Sequence, residues 1–239
     1  VITFADLFTD AGFQKYLNQL GINHQADQYL ICYNGSLLET TDQKIIAHQS
    51  ITLDDYFDLE LFARRHQAYI NLSTPDCMYT SNQDISPIAI YEANKVHIAL
   101  KYRTLDQLEK MRDHLQVIKG MILDDPQKLD HVQADIPAEF KQRFTILRSE
   151  VNYLEFISKQ ASKEACLKKL STYLHLQPAE IMAFGNGYND IGMIKFAGTG
   201  VAMANGVQKL RDQANYVTSD NNHDGIAKAV NKFALPKNQ

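Results

Sequence analysis

From residue 162 to 235 the chain alternates helical and strand-like runs, and this alternation limits its fold more than any other feature. SKEACLKKLSTYLHL reads as a helix, EIMAFG as a buried strand and NDIGMIKFA as a helix. GVAMA then reads as a strand, GVQKLRDQA as a helix, YVTS as a strand and DGIAKAVNKFAL as a closing helix. Short turns marked by Gly or Asn separate them. Such a series specifies an α/β fold with a doubly wound parallel sheet, whose ligands bind at the carboxyl ends of the strands.

The start of the chain carries the same signature. VITF reads as a strand, Phe8, Phe13, Tyr16, Leu17 and Leu20 recur at helical spacing, and the apolar run YLICY precedes Asn34-Gly35. VITF begins at Val1 as a strand already under way, so part of the natural N-terminus is expected to precede it. Between these zones the pattern changes to α+β. KIIAHQSIT is followed by LDDYFDLELFARRHQ at helical period, then AYINL, CMYTS and VHIALKYR, then a second amphipathic helix, TLDQLEKMRDHLQVI. The segment 121 to 143, rich in charge and with two prolines, has no firm assignment. FTILRS and NYLEFIS read as strands that reopen the alternation. The expected organisation is an α/β core from residues 1–43 and 151–239 with an inserted α+β cap domain, 44–150, covering the core's cleft.

Composition narrows the function. The chain has 239 residues, 45% of them hydrophobic, enough for a large core. A formal charge of -4 and dispersed lysines offer no basic stripe for a nucleic-acid backbone. Cys32, Cys77 and Cys166 are odd in number, far apart and without a C-x-x-C pair, which argues against a disulfide framework or zinc site and for a reducing cytoplasm. No apolar run approaches the roughly 20 residues that span a bilayer, and no signal peptide is evident, so no membrane partner is expected.

Chemistry is therefore sought in the loops. In FGNGYND the apolar strand stops at Gly185, Gly187 permits a tight turn, and Asn189 and Asp190 start a helix whose amides favour an anion. Taken alone, these are equally ordinary turn and cap residues. Lys163 lies near the start of a helix whose Ala165, Leu167, Leu170 and Leu174 face a core; a lone lysine there is ordinarily solvated.

The order of the whole set shifts the balance. YLICYNGSLLE, an α+β insertion, YLEFISKQASKEACLKKL and IMAFGNGYNDIGMIKFAGTGVAMANGVQKLRDQANYVTSDNNHDGIAKAV resemble, over nearly the whole chain, the haloacid dehalogenase superfamily and specifically its Cof-type (subfamily IIB) phosphatases with a large cap. The resemblance implies Mg²⁺-dependent hydrolysis of sugar phosphates and other small phosphorylated metabolites. In that family an aspartate of a D-x-D-G-T loop attacks phosphorus and the second aspartate acts as acid and base. A Thr or Ser loop and a lysine hold the phosphoryl oxygens, and a G-D-x-x-N-D loop supplies a metal carboxylate. An anionic nucleophile meeting an anionic ester needs a divalent cation and a lysine to offset repulsion. Lys163 matches the family's lysine, and Gly185, Asn186, Gly187, Asn189 and Asp190 fall on the acidic loop. Lys163 and Asp190 are thus the expected catalytic pair, Asn186 and Asp190 the metal positions, and Asn34, Gly35, Lys163 and Asn189 the substrate or phosphate positions. Asn34 is expected to open onto the same cleft as the pair.

Three departures accompany the match. No D-x-D-G-T occurs in these 239 residues. The loop aligned with the family's Thr-Gly-Arg reads Phe4, Ala5 and Asp6. Asn186 stands where the family has its metal aspartate, and a neutral amide is a poorer ligand for Mg²⁺ than a carboxylate. Truncation, divergence to an inactive binding module, or a single weakening substitution at Asn186 each explain part of this. Divergence covers all three, so reduced or lost activity and weak or absent Mg²⁺ binding are expected. The inactive alternative would still hold a phosphorylated metabolite or a protein partner.

Overall fold

The computed structural model describes residues 17–25, 27–42 and 44–235. VITF, the Phe4-Ala5-Asp6 loop and the helical positions Phe8, Phe13 and Tyr16 lie outside the described residues. The chain is α/β and divides into two compact units, one running to Ala161 and the other beginning at Ser162.

Among the described residues, the first unit holds an antiparallel sheet of β1 (Tyr29–Cys32), β2 (Leu37–Thr40) and β3 (Ile45–His48), in that order. The sequence suggested a parallel setting for β1, but its described partner is antiparallel. The connection explains this: only residues 33–36 lie between the strands, too few for a crossover. Tyr33, Asn34 and Gly35, at φ 50, 57 and 93°, reverse the chain there in the left-handed region.

A six-stranded sheet follows. Its elements are α1 (Leu53–Arg65), β4 (Tyr69–Ser73), β5 (Cys77–Thr80), α2 (Pro87–Lys95), β6 (Ala99–Tyr102), α3 (Leu105–Lys110), β7 (Lys119–Leu123), α4 (Pro126–Ala134), α5 (Ala138–Arg143), β8 (Phe144–Glu150) and β9 (Tyr153–Ser158). The strand order is β6-β5-β4-β7-β9-β8, parallel only between β5 and β6. α1 starts at a capping box in which the Thr52 hydroxyl accepts from the Asp55 amide and the Asp55 carboxylate accepts from the Thr52 amide. Its Tyr56, Leu59 and Phe62 bury against Ile70, Leu72, Ile122, Leu154 and Phe156. Phe140, Phe144 and Phe156 meet edge to face in the same core.

Four readings change here. The helix expected over 104–118 is cut to α3, because Val117 and Ile118 are buried on the way into β7. α2 was not read as a helix, although Ser86 and Pro87 form a cap-and-first-turn signal; the Ser86 hydroxyl accepts from the Ile88 amide. The unassigned segment 121–143 holds the end of β7 and two helices, each opening beside a proline. β8 and β9, read as reopening the α/β zone, pair inside this sheet, β9 antiparallel to β7 from Lys119↔Ile157 to Leu123↔Tyr153.

The second unit has the expected alternation: α6 (Lys163–Tyr173), β10 (Met182–Gly185), α7 (Ile191–Phe196), β11 (Thr199–Ala202), α8 (Gln208–Arg211), β12 (Tyr216–Val217) and α9 (Gly225–Phe233). Its three strands run in the order β10-β11-β12, all parallel. Among the described residues, no helix is long and apolar enough to cross a membrane.

Candidate active site

β10 is an apolar strand that leaves its sheet at Gly185, and the turn after it folds Asp190 back beneath the strand end. Asp190 Oδ2 accepts from the backbone amides of Asn186 at 2.8 Å and Gly187 at 2.9 Å. Its Oδ1 accepts from Lys163 Nζ at 2.7 Å. The turn is tight enough that a Cβ at Gly185 would lie 2.5 Å from Asp190 Cβ, so only glycine leaves room for the carboxylate.

Lys163 comes from the first turn of α6, which is fixed by the Ser162 hydroxyl accepting from the Ala165 amide at 3.0 Å. Lys163 and Asp190 are each 4% exposed. The solvated reading of this lysine therefore gives way to a buried, paired cation. Taking two charges out of water costs several kcal/mol per ion, and the two amides on Asp190 help offset that cost.

The other expected site residues fall differently. Asn186 and Asn189 are exposed on the same turn, and the Asn186 carbonyl accepts from the Val207 amide at 2.9 Å. Asn34 and Gly35 belong to the first unit, in the left-handed turn after β1. The structure thus gathers Lys163, Gly185, Asn186, Gly187, Asn189 and Asp190 in one unit.

A divalent cation prefers hard, charged oxygens. This loop offers one carboxylate, with both oxygens already accepting from three donors, and the neutral amide of Asn186. Among the described residues no three His, Cys, Asp or Glu side chains converge as a metal cluster. These residues do not by themselves fit Mg²⁺.

Sequence reading passed over several buried polar groups in the first unit. Lys119 Nζ lies 3.1 Å from Glu155 Oε1, with side chains 1% and 9% exposed. The signal was present in KGMIL and YLEFIS, where a charged residue interrupts an otherwise apolar strand.

The chain is similar in sequence and fold to known proteins. Residues 10–230 match the model of the haloacid dehalogenase-like hydrolases. The chain is 33% identical over 230 residues to YxeH of Bacillus subtilis (strain 168), which carries a provisional phosphatase name; the match covers 95% of this chain and 83% of that protein. A crystal structure of a haloacid dehalogenase-like hydrolase from Bacteroides thetaiotaomicron superposes with a TM-score of 0.80 at 27% identity, covering 97% of this chain and 86% of the other. The subclass IIB sugar phosphatase BT4131 shares the fold, with a TM-score of 0.66 at 16% identity over 97% of this chain and 98% of its own. With the family model spanning most of its length, this chain belongs to the haloacid dehalogenase-like hydrolases.

Proposed function

We propose that the chain is a Cof-type phosphatase by lineage, directed at small phosphorylated metabolites of the sugar-phosphate kind, with its Mg²⁺ affinity and turnover weakened by Asn186. The observation that carries this reading is the buried Lys163–Asp190 pair at the end of β10. Asp190 positions the lysine, and the ammonium is the group that meets phosphoryl oxygens, because a fixed cation in a water-poor site stabilises developing phosphoryl charge without reorganising. Exposed Asn189 on the same turn supplies a further donor toward the phosphate. When bound, Mg²⁺ would offset charge on the ester. A carboxylate at 186 would serve that ion better than the amide does. The three buried cysteines, far apart in the sequence and without a C-x-x-C pair, fit a cytoplasmic setting.

A second reading, a binding module that holds a phosphorylated metabolite without cleaving it, is favoured by Asn186, a neutral amide where a carboxylate would serve a divalent cation better. Binding and bond-breaking use different groups, so one can survive loss of the other.

Calorimetric titration with inorganic phosphate tests the shared core of both readings. Lys163→Ala is expected to weaken binding at least tenfold, about 1.4 kcal/mol. Equal affinity in parent and variant would sink the site. Phosphate release from a sugar phosphate in Mg²⁺ then separates the readings: turnover that disappears with Lys163→Ala supports the enzyme, and binding without turnover supports the module. Asn186→Asp is expected to tighten Mg²⁺ binding.

A further inference from the structure

The carboxyl ends of the parallel strands β5 and β6 open onto a cavity of about 440 Å³ that lies wholly within the first unit. Its lining comes from the last turn of α1, the loop after β5, and the end of β6 with the start of α3. α2 joins the two strands as a crossover, and at this end of such a pair α/β sheets ordinarily hold their ligands. The volume is in the range of sites for small metabolites. Cys77 and Tyr79 of β5 belong to the core beneath α1, and Ser81 meets Glu60 and Arg64 of that helix. The cavity is therefore on the α1 side of the sheet, whereas Lys119 and Glu155 alternate onto the opposite face from Ile122 and Leu154.

The cation of this cavity is held from beneath. Glu60 is fully buried, and its carboxylate accepts from the Tyr56 hydroxyl at 3.0 Å, from Arg64 Nε at 2.9 Å and from the Ser81 hydroxyl. Arg64 Nη2 also donates to Ser81 Oγ at 3.0 Å. Burying a carboxylate is costly, and here it fixes one edge of the guanidinium. The rest of Arg64 is exposed, and its Nη1 makes no hydrogen bond among the described residues. Asn82 is anchored in the same way. Its Oδ1 accepts from the Ile70 amide at 3.4 Å and the Thr80 hydroxyl at 3.3 Å, which leaves Nδ2 without a partner among the described residues. Asp84 is exposed, and its carboxylate accepts no hydrogen bond among the described residues. Anchored side chains with unused polar ends lose little freedom when a ligand arrives.

We propose that this cavity binds a free α-amino acid as its zwitterion. Arg64 Nη1 and Asn82 Nδ2 receive the carboxylate, Asp84 receives the ammonium group, and Tyr102 and Leu105 give the side chain an apolar surface. The balance of charge selects this class. Glu60 already offsets Arg64, so a bare anion finds no net positive field and meets Asp84. A bare cation would leave the donors of Arg64 and Asn82 unmatched. A carboxylate accepts from both, and an ammonium on the adjacent carbon answers Asp84. A structural tie between α1 and the loop after β5 accounts for Glu60, Ser81 and one edge of Arg64. It does not account for Arg64 Nη1, Asn82 Nδ2 and Asp84 around one cavity. The site belongs to the first unit and does not rest on Lys163.

The test is a titration of the whole chain followed by ¹H–¹⁵N spectra, with L-serine, L-glutamine and L-leucine as probes and acetate, ethylammonium and inorganic phosphate as controls that lack one of the two charges. At least one amino acid is expected to shift the Asn82 side-chain amide and the backbone signals of 81–84 and 102–105 saturably, with every control at least tenfold weaker. Asp84→Asn is expected to weaken that binding at least tenfold with melting temperature unchanged, since the carboxylate makes no bond within the fold. Arg64→Lys keeps a positive charge beside Glu60 but lacks the planar fork, and is expected to weaken binding by a similar factor. The proposal is overturned if none of the three amino acids moves these signals, if any control binds as tightly as the amino acids do, or if either variant binds like the parent. Phosphate binding at Lys163 is read from the signals of 185–190, so the two sites can fail separately.

Discussion

At the scale of single residues, the glycine before the turn matters as much as the charged pair. Gly185 is required because Asp190 occupies the space a Cβ would take, and Asp190 in turn fixes Lys163. Gly185→Ala is expected to push the carboxylate out of reach of the Asn186 and Gly187 amides, destabilising the protein by on the order of 1–3 kcal/mol, as overpacking usually does. Denaturant unfolding reads the stability, and phosphate titration should show a loss approaching that of Lys163→Ala. A fully stable Gly185→Ala protein with intact phosphate binding would contradict the coupling. Lys163 and Asp190 were legible in the sequence through their motif positions. Their burial was not, because a lysine in a first helical turn looks the same in sequence whether it faces water or a carboxylate from 27 residues away.

At the scale of elements, α2 shows what a missed helix conceals. It carries Glu92, which is fully buried against the six-stranded sheet. Burial raises the pKa of this carboxyl, and Glu155 adds to the rise, while Tyr153, Lys119 and Lys95 pull the other way without cancelling it. A folded value above the unfolded one means that the fold prefers the protonated acid. The corresponding stability is present in full below the ordinary glutamate range, near pH ~4.3, and is lost as pH rises through the raised value. Melting temperatures taken from acid to neutral pH should therefore contain a falling component that Glu92→Gln removes, with the variant the more stable at neutral pH. An identical pH profile in the two proteins would show that Glu92 does not titrate differently on folding. The strands were mostly found from sequence, but β8 and β9 were given the wrong neighbours. Local alternation marks a strand and says nothing of its partner, which the register with β7, from Lys119↔Ile157 to Leu123↔Tyr153, decides at long range.

At the scale of the whole molecule, a net charge of -4 without a basic stripe predicts no retardation of duplex DNA at physiological salt, since phosphate-backbone binding needs clustered cations. A salt-dependent shift in a gel-mobility assay would count against this. The α/β class, the parallel order of β10, β11 and β12, and the loop bearing Asp190 follow from sequence alone, because helix and strand periods and glycine-marked turns are local properties of the chain. The antiparallel turn at Tyr33–Gly35, the sheet membership of β8 and β9, the burial of Lys163 and the cavity beside Arg64 were decided only by tertiary structure. Each depends on which distant strand or side chain comes to lie alongside, and pairing of that kind is set by the packing of the whole fold rather than by any one stretch of residues.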